Sequence, residues 1–209
     1  MSEIGNLSIY FRVKPLFRIK TKVGWHRDYS LLLFGLLFLG GNKMLKEYFD
    51  LEKYEELKSS KDLIYKALEI VSTLFEYDTD KGGMPYMLHI IYVYRHVNTK
   101  EEKVVALLHD VLEDKKVLKE DLLDIGFPKD IVDDVEVLTR VKPISYDEYI
   151  SNILKNGSIR ALNVKLVDLE NNMDLSRIKN PTVKDFDRVQ KRYIPTHEKI
   201  MNRIKEMEM

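Results

Sequence analysis

The chain has 209 residues, enough for one domain with a sizeable buried core. Lys plus Arg number 34 and Asp plus Glu number 34, so no broad positive field is available to hold nucleic acid or an anionic membrane, and any phosphate must be recognised locally. Cysteine is absent, which excludes disulfides and thiolate chemistry, fits a reducing cytoplasm and leaves His, Asp and Glu as the strong metal ligands.

The amino-terminal stretch reads differently from the rest. Lys14, Arg18, Lys20, Lys22 and Arg27 precede an apolar run over 29–41, the order found in a signal peptide or signal anchor. The run is shorter than the ~20 residues that cross a bilayer, and Gly40-Gly41-Asn42 is followed by Lys43 rather than by a small-residue cleavage site, so membrane insertion is not the expected outcome. Alternation at Ile9, Phe11 and Val13, then at Phe17, Ile19 and Thr21 around Lys14-Pro15, fits a short β-hairpin. Because Met44 opens a strongly helical segment, a dispensable upstream extension is the other reading. The expected organisation is an N-terminal extension over 1–43 and a helical domain over 44–209.

From Leu45 onward apolar residues recur at helical spacing, with no long alternating run that would predict a sheet. Leu63, Ala67, Ile70, Val71 and Leu74 form one core-facing stripe, with Ser60 as the predicted cap. Gly82-Gly83-Met84-Pro85 predicts a loop, after which a helix carries His89 inward. The stretch 101–114 buries Val104, Val105, Leu107 and Leu108; Gly126 closes the next helix and Pro128 starts another. Ser145-Tyr146-Asp147-Glu148 is a capping box for a helix that Gly157 ends. A further helix holds Asp168, Thr182 can cap a final pair, and Pro195 predicts a break or kink between Tyr193 and Glu198.

Two places carry chemistry. His109-Asp110 ends an apolar helical stretch, and Glu113-Asp114 follows one turn later on the same side. Carboxylates near a helix carboxyl end oppose the macrodipole at a cost of several tenths of a kcal/mol each, a cost that a bound cation reverses. The competing readings are a core histidine with a hydrogen-bond partner at His109, and solvated pairs of Glu113 and Asp114 with Lys115 or Lys116. In Asn163-Val164-Lys165-Leu166-Val167-Asp168, followed by Asn172, a carboxylate lies beside the core one turn before an amide. Metal binding or a buried salt bridge from Lys165 would each account for it. His26, His96 and His197 read as surface or partner-contact histidines, and Tyr92, Tyr94, Tyr146 and Tyr149 as packing or interface residues.

Gly83-Met84-Pro85-Tyr86-Met87-Leu88-His89, then Ala106-Leu107-Leu108-His109-Asp110-Val111-Leu112-Glu113-Asp114, then Lys165-Leu166-Val167-Asp168 with Asn172 resemble the successive motifs of the RelA/SpoT-type hydrolase domain. Stand-alone small alarmone hydrolases are similar. The resemblance spans roughly 60–195 and implies an all-α HD-domain helical bundle, so that 44–209 becomes an HD-type phosphohydrolase domain. It further implies that His89, His109, Asp110 and Asp168 hold one Mn2+, and that Glu113 and Asp114 position or activate the attacking water. Asn172 would touch the ribose, Lys81 and Tyr86 would lie near the nucleotide, and Lys165 joins these substrate contacts. The implied reaction releases pyrophosphate from the ribose 3′ position of a guanosine tetra- or pentaphosphate, (p)ppGpp, as in the stringent response; an adenosine counterpart remains open as substrate. The chain departs from the family pattern at Asp80, where an Arg usually precedes Lys81, at Glu76 to Asp80, where a His is usual, and at Ile90, where Pro usually follows His89.

The chemistry has its own physical basis. One divalent ion held by two imidazoles and two carboxylates leaves positions for water and a phosphate oxygen, lowers the pKa of the water and neutralises developing charge. A carboxylate one turn from His109-Asp110 is within reach to relay the proton. The expected protein is a cytoplasmic, purely hydrolytic enzyme with a small-molecule nucleotide as its partner and no nucleic acid, its homo-oligomeric state left open. The alternatives are another HD-type nucleotidase or phosphodiesterase, and a non-catalytic nucleotide-binding regulatory module.

Overall fold

A helix starts where a side chain can take up the amide hydrogens that its first turn leaves open. The computed structural model of the chain describes residues 45–114 and 117–209, Asp114 by its backbone alone. The hairpin, the apolar run and the extension over 1–43 lie outside the described residues, as do His26 and the Asp114 carboxylate. After a 3₁₀ turn at Leu45–Glu47, helix α1 (Leu51–Ser59) is capped by Asp50, whose carboxylate accepts from Lys53 N at 2.8 Å. Helix α2 (Leu63–Leu74) is capped by Asp62, which accepts from Ile64 N and Tyr65 N at 3.1 Å each. Ser60, the cap expected from sequence, instead closes α1 and accepts from Asp62 N at 3.2 Å. The carboxylate two residues later is placed to reach two amides and takes the role.

Helix α3 (Met87–His96) follows the glycine loop, and α4 (Lys100–Leu108) opens with a Thr99/Glu102 capping box. The expected stretch 101–114 is interrupted: α4 stops at Leu108, His109 and Asp110 form a turn, and a single helical turn, α5 (Val111–Asp114), resumes. Helices α6 (Lys119–Asp124), α7 (Lys129–Leu138), α8 (Tyr146–Asn156) and α9 (Ile159–Met173) come next. The Ser145/Glu148 box opens α8 as expected, with reciprocal bonds of 3.2 and 2.8 Å, and Gly157 closes it because a Cβ there would sit 2.6 Å from the Ile153 carbonyl.

After a 3₁₀ turn at Leu175–Arg177, α10 (Val183–Arg188) runs through a π-helical segment at Val189–Tyr193 into α11 (Ile194–Glu208). Pro195 neither breaks nor ends this helix. Lacking an N–H, it cannot donate to the carbonyl of Lys191 four residues back, and just ahead of it the helix widens into a π turn in which Ile194 N donates to Val189 O.

Helix α4 is the hub. Val104, Val105, Ala106, Leu107 and Leu108 are all buried, which requires neighbours on every side, and α2, α3, α7 and α9 supply them. Helix α9 packs in turn on α3, α7 and α11. Two polar ties fix α9 in place. Buried Glu102 accepts from Asn163 Nδ2 at 2.7 Å, and Arg160 pairs with buried Asp134 and, at 3.0 Å, with Asp130 on α7. Among the described residues no strand forms beyond a single Thr79–Pro85 bridge, so the all-α class expected from sequence is found. None of the helices there is long and apolar enough to cross a membrane.

A buried ammonium organises the end of α6. Lys66 Nζ donates to the Ile125 carbonyl at 2.7 Å, and burial pushes its pKa down. Gly126, at φ +94°, is the left-handed residue that turns the chain there, and a Cβ on it would sit 3.0 Å from that Nζ. Gly126→Ala is therefore expected to cost about 1–2 kcal/mol for backbone conformation, with added strain against Lys66, read as a lowered midpoint in urea unfolding.

Candidate functional site

The helix hub brings three distant segments to one point. His89 projects from the first turn of α3, His109 and Asp110 from the turn that ends α4, and Asp168 from the middle of α9. The imidazole Nε2 atoms of His89 and His109 lie 3.2 Å apart. Asp110 Oδ2 is 3.0 Å from His109 Nε2 and 3.6 Å from His89 Nε2. Asp168 Oδ1 is 3.3 Å from His89 Nε2 and 3.9 Å from His109 Nε2. Ligand atoms of His89, His109 and Asp110 lie within 4.8 Å of one another, so one ion could touch all three; Asp168 is outside that set, with its Oδ1 next to both imidazoles.

Both imidazoles are aimed by their other nitrogen. His109 Nδ1 donates to the Ala106 carbonyl at 2.7 Å, satisfying an acceptor that the end of α4 leaves open. His89 Nδ1 donates to Asn171 Oδ1 at 2.7 Å, and Asn171 is buried on α9 three residues beyond Asp168. Each Nε2 thereby faces the carboxylates, the arrangement by which outer hydrogen bonds orient metal-binding histidines. Tyr86, stacked on Phe75 with ring centroids 5.1 Å apart, donates its hydroxyl to Asp110 Oδ2 at 2.5 Å. Asn172 Nδ2 donates to Asp168 Oδ1 at 2.6 Å, and Lys165 Nζ to Asp168 Oδ2 at 2.8 Å. The Lys165 ion pair weighed from sequence is thus present, with Asp168 still turned toward both imidazoles.

The ionisation of the cluster follows from crowding two carboxylates against two imidazoles out of water. Burial opposes charge on His89, yet hydrogen bonds and charge from Asp110 and Asp168 win and raise it to about 10. His109 is raised likewise against its burial, chiefly by Asp110. Against their own burial Asp110 is held well below the usual carboxylate range by His109 and His89, and Asp168 by Lys165 and the two imidazoles. The cluster favours positive charge at its centre, the electrostatic condition a divalent cation needs. Two nitrogens and two carboxylate oxygens also form a donor set suited to a borderline or hard ion.

A cavity of about 290 Å³ opens beside the imidazoles, lined also by Glu113, Arg140, Tyr146, Lys165, Asn172, Arg188 and Arg192. Glu113 is exposed at its wall, with Oε2 accepting from Arg140 N at 2.9 Å. A second cavity of about 230 Å³ shares Tyr86, His89, Asn172, Arg188 and Tyr193 with the first and contains Lys81. The expected substrate contacts are thereby brought to one place, Lys81 on the second cavity, Lys165 on the first, Tyr86 and Asn172 on both.

Asp80, where the family resemblance has an arginine, does a structural job. Its Oδ1 accepts from Gly82 N at 2.8 Å and Met84 N at 3.0 Å, and its Oδ2 from Arg177 Nη1 at 3.1 Å. Outside the cluster, His96 is exposed, as expected, with Nδ1 on the Tyr92 carbonyl, and His197 is half-buried and pairs with Glu170 at 3.2 Å.

Sequence reasoning missed Asn171, Arg140, Arg188, Arg192 and Tyr193, and took Tyr146 for packing. For Asn171 the signal was present in the Asn171-Asn172 pair: in a helix whose i+4 amide reaches Asp168, the i+3 amide faces the adjoining side. The arginines gave none, because 34 cations spread along a neutral chain do not reveal which converge.

No family model matches the chain. A solved structure of a metazoan ortholog of SpoT, described as hydrolysing ppGpp and playing a role in starvation responses, is similar to it, with a TM-score of 0.55 and 23% identity over 69% of this chain and 86% of that one. At that identity the likeness is one of fold alone: an all-helical arrangement shared over most of both chains.

Proposed function

We propose that the chain is a metal-dependent phosphohydrolase of the HD type acting on a nucleotide alarmone, (p)ppGpp or an adenosine analogue, with release of pyrophosphate. The observation that carries this reading is the convergence of His89, His109, Asp110 and Asp168 from three segments of the chain, both Nε2 atoms facing two carboxylates beside a cavity with several cations on its walls. These four would hold one ion, Mn2+ on this reading. Bound there, it supplies a water of lowered pKa and neutralises charge gathering on phosphoryl oxygens.

The chain's own groups do the rest. Glu113, on the cavity wall, accepts or relays the proton of the attacking water, and Asp114 is assigned with it. Lys165 and Arg188 bring positive charge to the phosphate side, while Tyr86, Lys81 and Asn172 line the region where the two cavities join and take the nucleoside. A fold relative described as hydrolysing ppGpp supports the substrate class. The neutral chain is read as a cytoplasmic enzyme with no nucleic-acid partner, and 44–209 as its hydrolase domain.

The test is product analysis with purified full-length protein, purine nucleotides and Mn2+. Pyrophosphate should accumulate from an alarmone bearing a 3′-diphosphate, and a chelator should stop it. Release of single phosphates would move the chain to the nucleotidases. Tight nucleotide binding by the metal-loaded protein with no product over hours would make it a sensor and overturn the catalytic reading.

A further inference from the structure

Two tyrosines one turn apart on α8 are treated differently by the fold. Tyr149 is buried and gives its hydroxyl to the Leu138 carbonyl. Tyr146, at the first position of the same helix, lines the cavity beside the imidazoles, and its hydroxyl oxygen is out of contact with solvent and has no hydrogen-bond partner among the described residues. Leaving a buried hydroxyl unpaired costs about 1–3 kcal/mol, and the large majority of buried side-chain polar atoms avoid it. An orphan on a cavity wall is best explained by a partner that arrives with the ligand.

A second observation points to the same place. The guanidinium of Arg192 lies over the Tyr146 ring, its Cζ 5.6 Å from the centroid, and lines the same cavity. Arg188, one turn earlier, is paired with Asp185 at 3.1 Å, whereas Arg192 has no carboxylate partner among the described residues. Arg192 sits in the π segment ahead of Pro195, so the irregularity that the proline imposes coincides with the stretch that supplies this cation to the cavity. π-Helical turns recur at functional sites because they re-aim side chains within an otherwise regular helix.

We propose that Tyr146 and Arg192 form a clamp for a phosphoryl group of the substrate, the hydroxyl donating to, and the guanidinium pairing with, its oxygens. This rests on the phosphohydrolase reading above and assigns the anion-binding end of the same site to side chains that touch none of the proposed metal ligands. The clamp needs no proton transfer and forms no covalent bond; it positions. The cation–π contact holds the guanidinium over the ring while the ring presents its hydroxyl, so the two donors are ordered together before the anion arrives.

The experiment uses full-length protein with Mn2+ in excess, and inorganic pyrophosphate as the probe, followed by calorimetry and by thermal shift. Tyr146→Phe and Arg192→Gln should each weaken pyrophosphate binding about tenfold or more, the loss expected for one hydrogen bond to a charged group, and Arg192→Lys should recover part of it. Mn2+ affinity should be unchanged in all three. With no pyrophosphate present, Tyr146→Phe should melt at the same temperature as the parent or higher, because it deletes an unsatisfied buried hydroxyl; a packing role would lower it.

Wild-type pyrophosphate affinity in both variants, in a parent that binds Mn2+ and turns over nucleotide, overturns the clamp and leaves the enzyme reading standing. Weakened binding in a parent that turns over no nucleotide supports the clamp and removes the enzyme reading. No measurable pyrophosphate binding by the Mn2+-loaded parent also overturns the clamp.

Discussion

Asp168→Asn is expected to abolish the stabilisation of the protein by Mn2+ and to reduce nucleotide hydrolysis by at least about a hundredfold, exceeding the 10–100-fold typical of a residue that only supports a ligand. Asp168 is the member of the cluster most remote in sequence, and its Oδ1 lies 3.3 Å from His89 Nε2 and 3.9 Å from His109 Nε2. Its loss also strands the buried Lys165 ammonium, whose pKa is held up, against its own burial, mainly by the Asp168 charge. The side chains of the pair are only 14% and 7% exposed, so little solvent screens it, and removing one partner should destabilise the fold by about 3–5 kcal/mol. A fall in activity alone would therefore be ambiguous.

The double variant Lys165→Met, Asp168→Asn separates the two effects. With the stranded charge gone it should regain most of the lost stability, since replacing both members of a buried ion pair is often neutral. Mn2+ should still fail to raise its melting temperature, whereas the parent should gain about 2.7 kcal/mol at a hundredfold excess over its dissociation constant. A double variant that folds and binds Mn2+ like the parent would remove Asp168 from the site.

What was legible in the sequence was local. Ser145/Glu148, Gly126 with Pro128 and the stripe on α2 depend on neighbours within a turn or two, and each forms as the spacing predicts. Ser60 was misread at the same range, because Ser60 and Asp62 both precede the stripe and the choice depends on which oxygen reaches the free amides. Pro195 was expected to break or kink the pattern; there is no break, and the helix continues through a π turn, an option that a linear pattern does not display. The His109-Asp110 pair and Asp168 stood out because polar groups beside apolar helix faces need a reason, whereas His89, and the set of four as ligands of one ion, came only from the family resemblance. Arg140, Arg192 and Tyr146 were not, since each is ordinary in its own segment and becomes notable only when three segments meet around one cavity.

Asn171→Leu should lower Mn2+ affinity by about 10–100-fold while leaving the protein folded. Asn171 is buried, and its Oδ1 accepts from His89 Nδ1 at 2.7 Å, fixing both the ring plane and the position of the ring proton. With leucine the volume is kept but the acceptor is lost, so the imidazole can rotate or shift its proton to the nitrogen that faces the carboxylates. A proton there competes with the cation for the same lone pair. The expected loss corresponds to about 1.4–2.7 kcal/mol of binding free energy, and titration followed by Mn2+ electron paramagnetic resonance would read it without any turnover. Asn171→Asp supplies the rescue: a carboxylate accepts from Nδ1 more strongly than an amide, makes Nε2 a better donor to the ion, and should restore affinity to the parent level or above it. If leucine at this position leaves Mn2+ affinity unchanged, then His89 is held by packing alone, and the hydrogen bond from α9 has no part in aiming it.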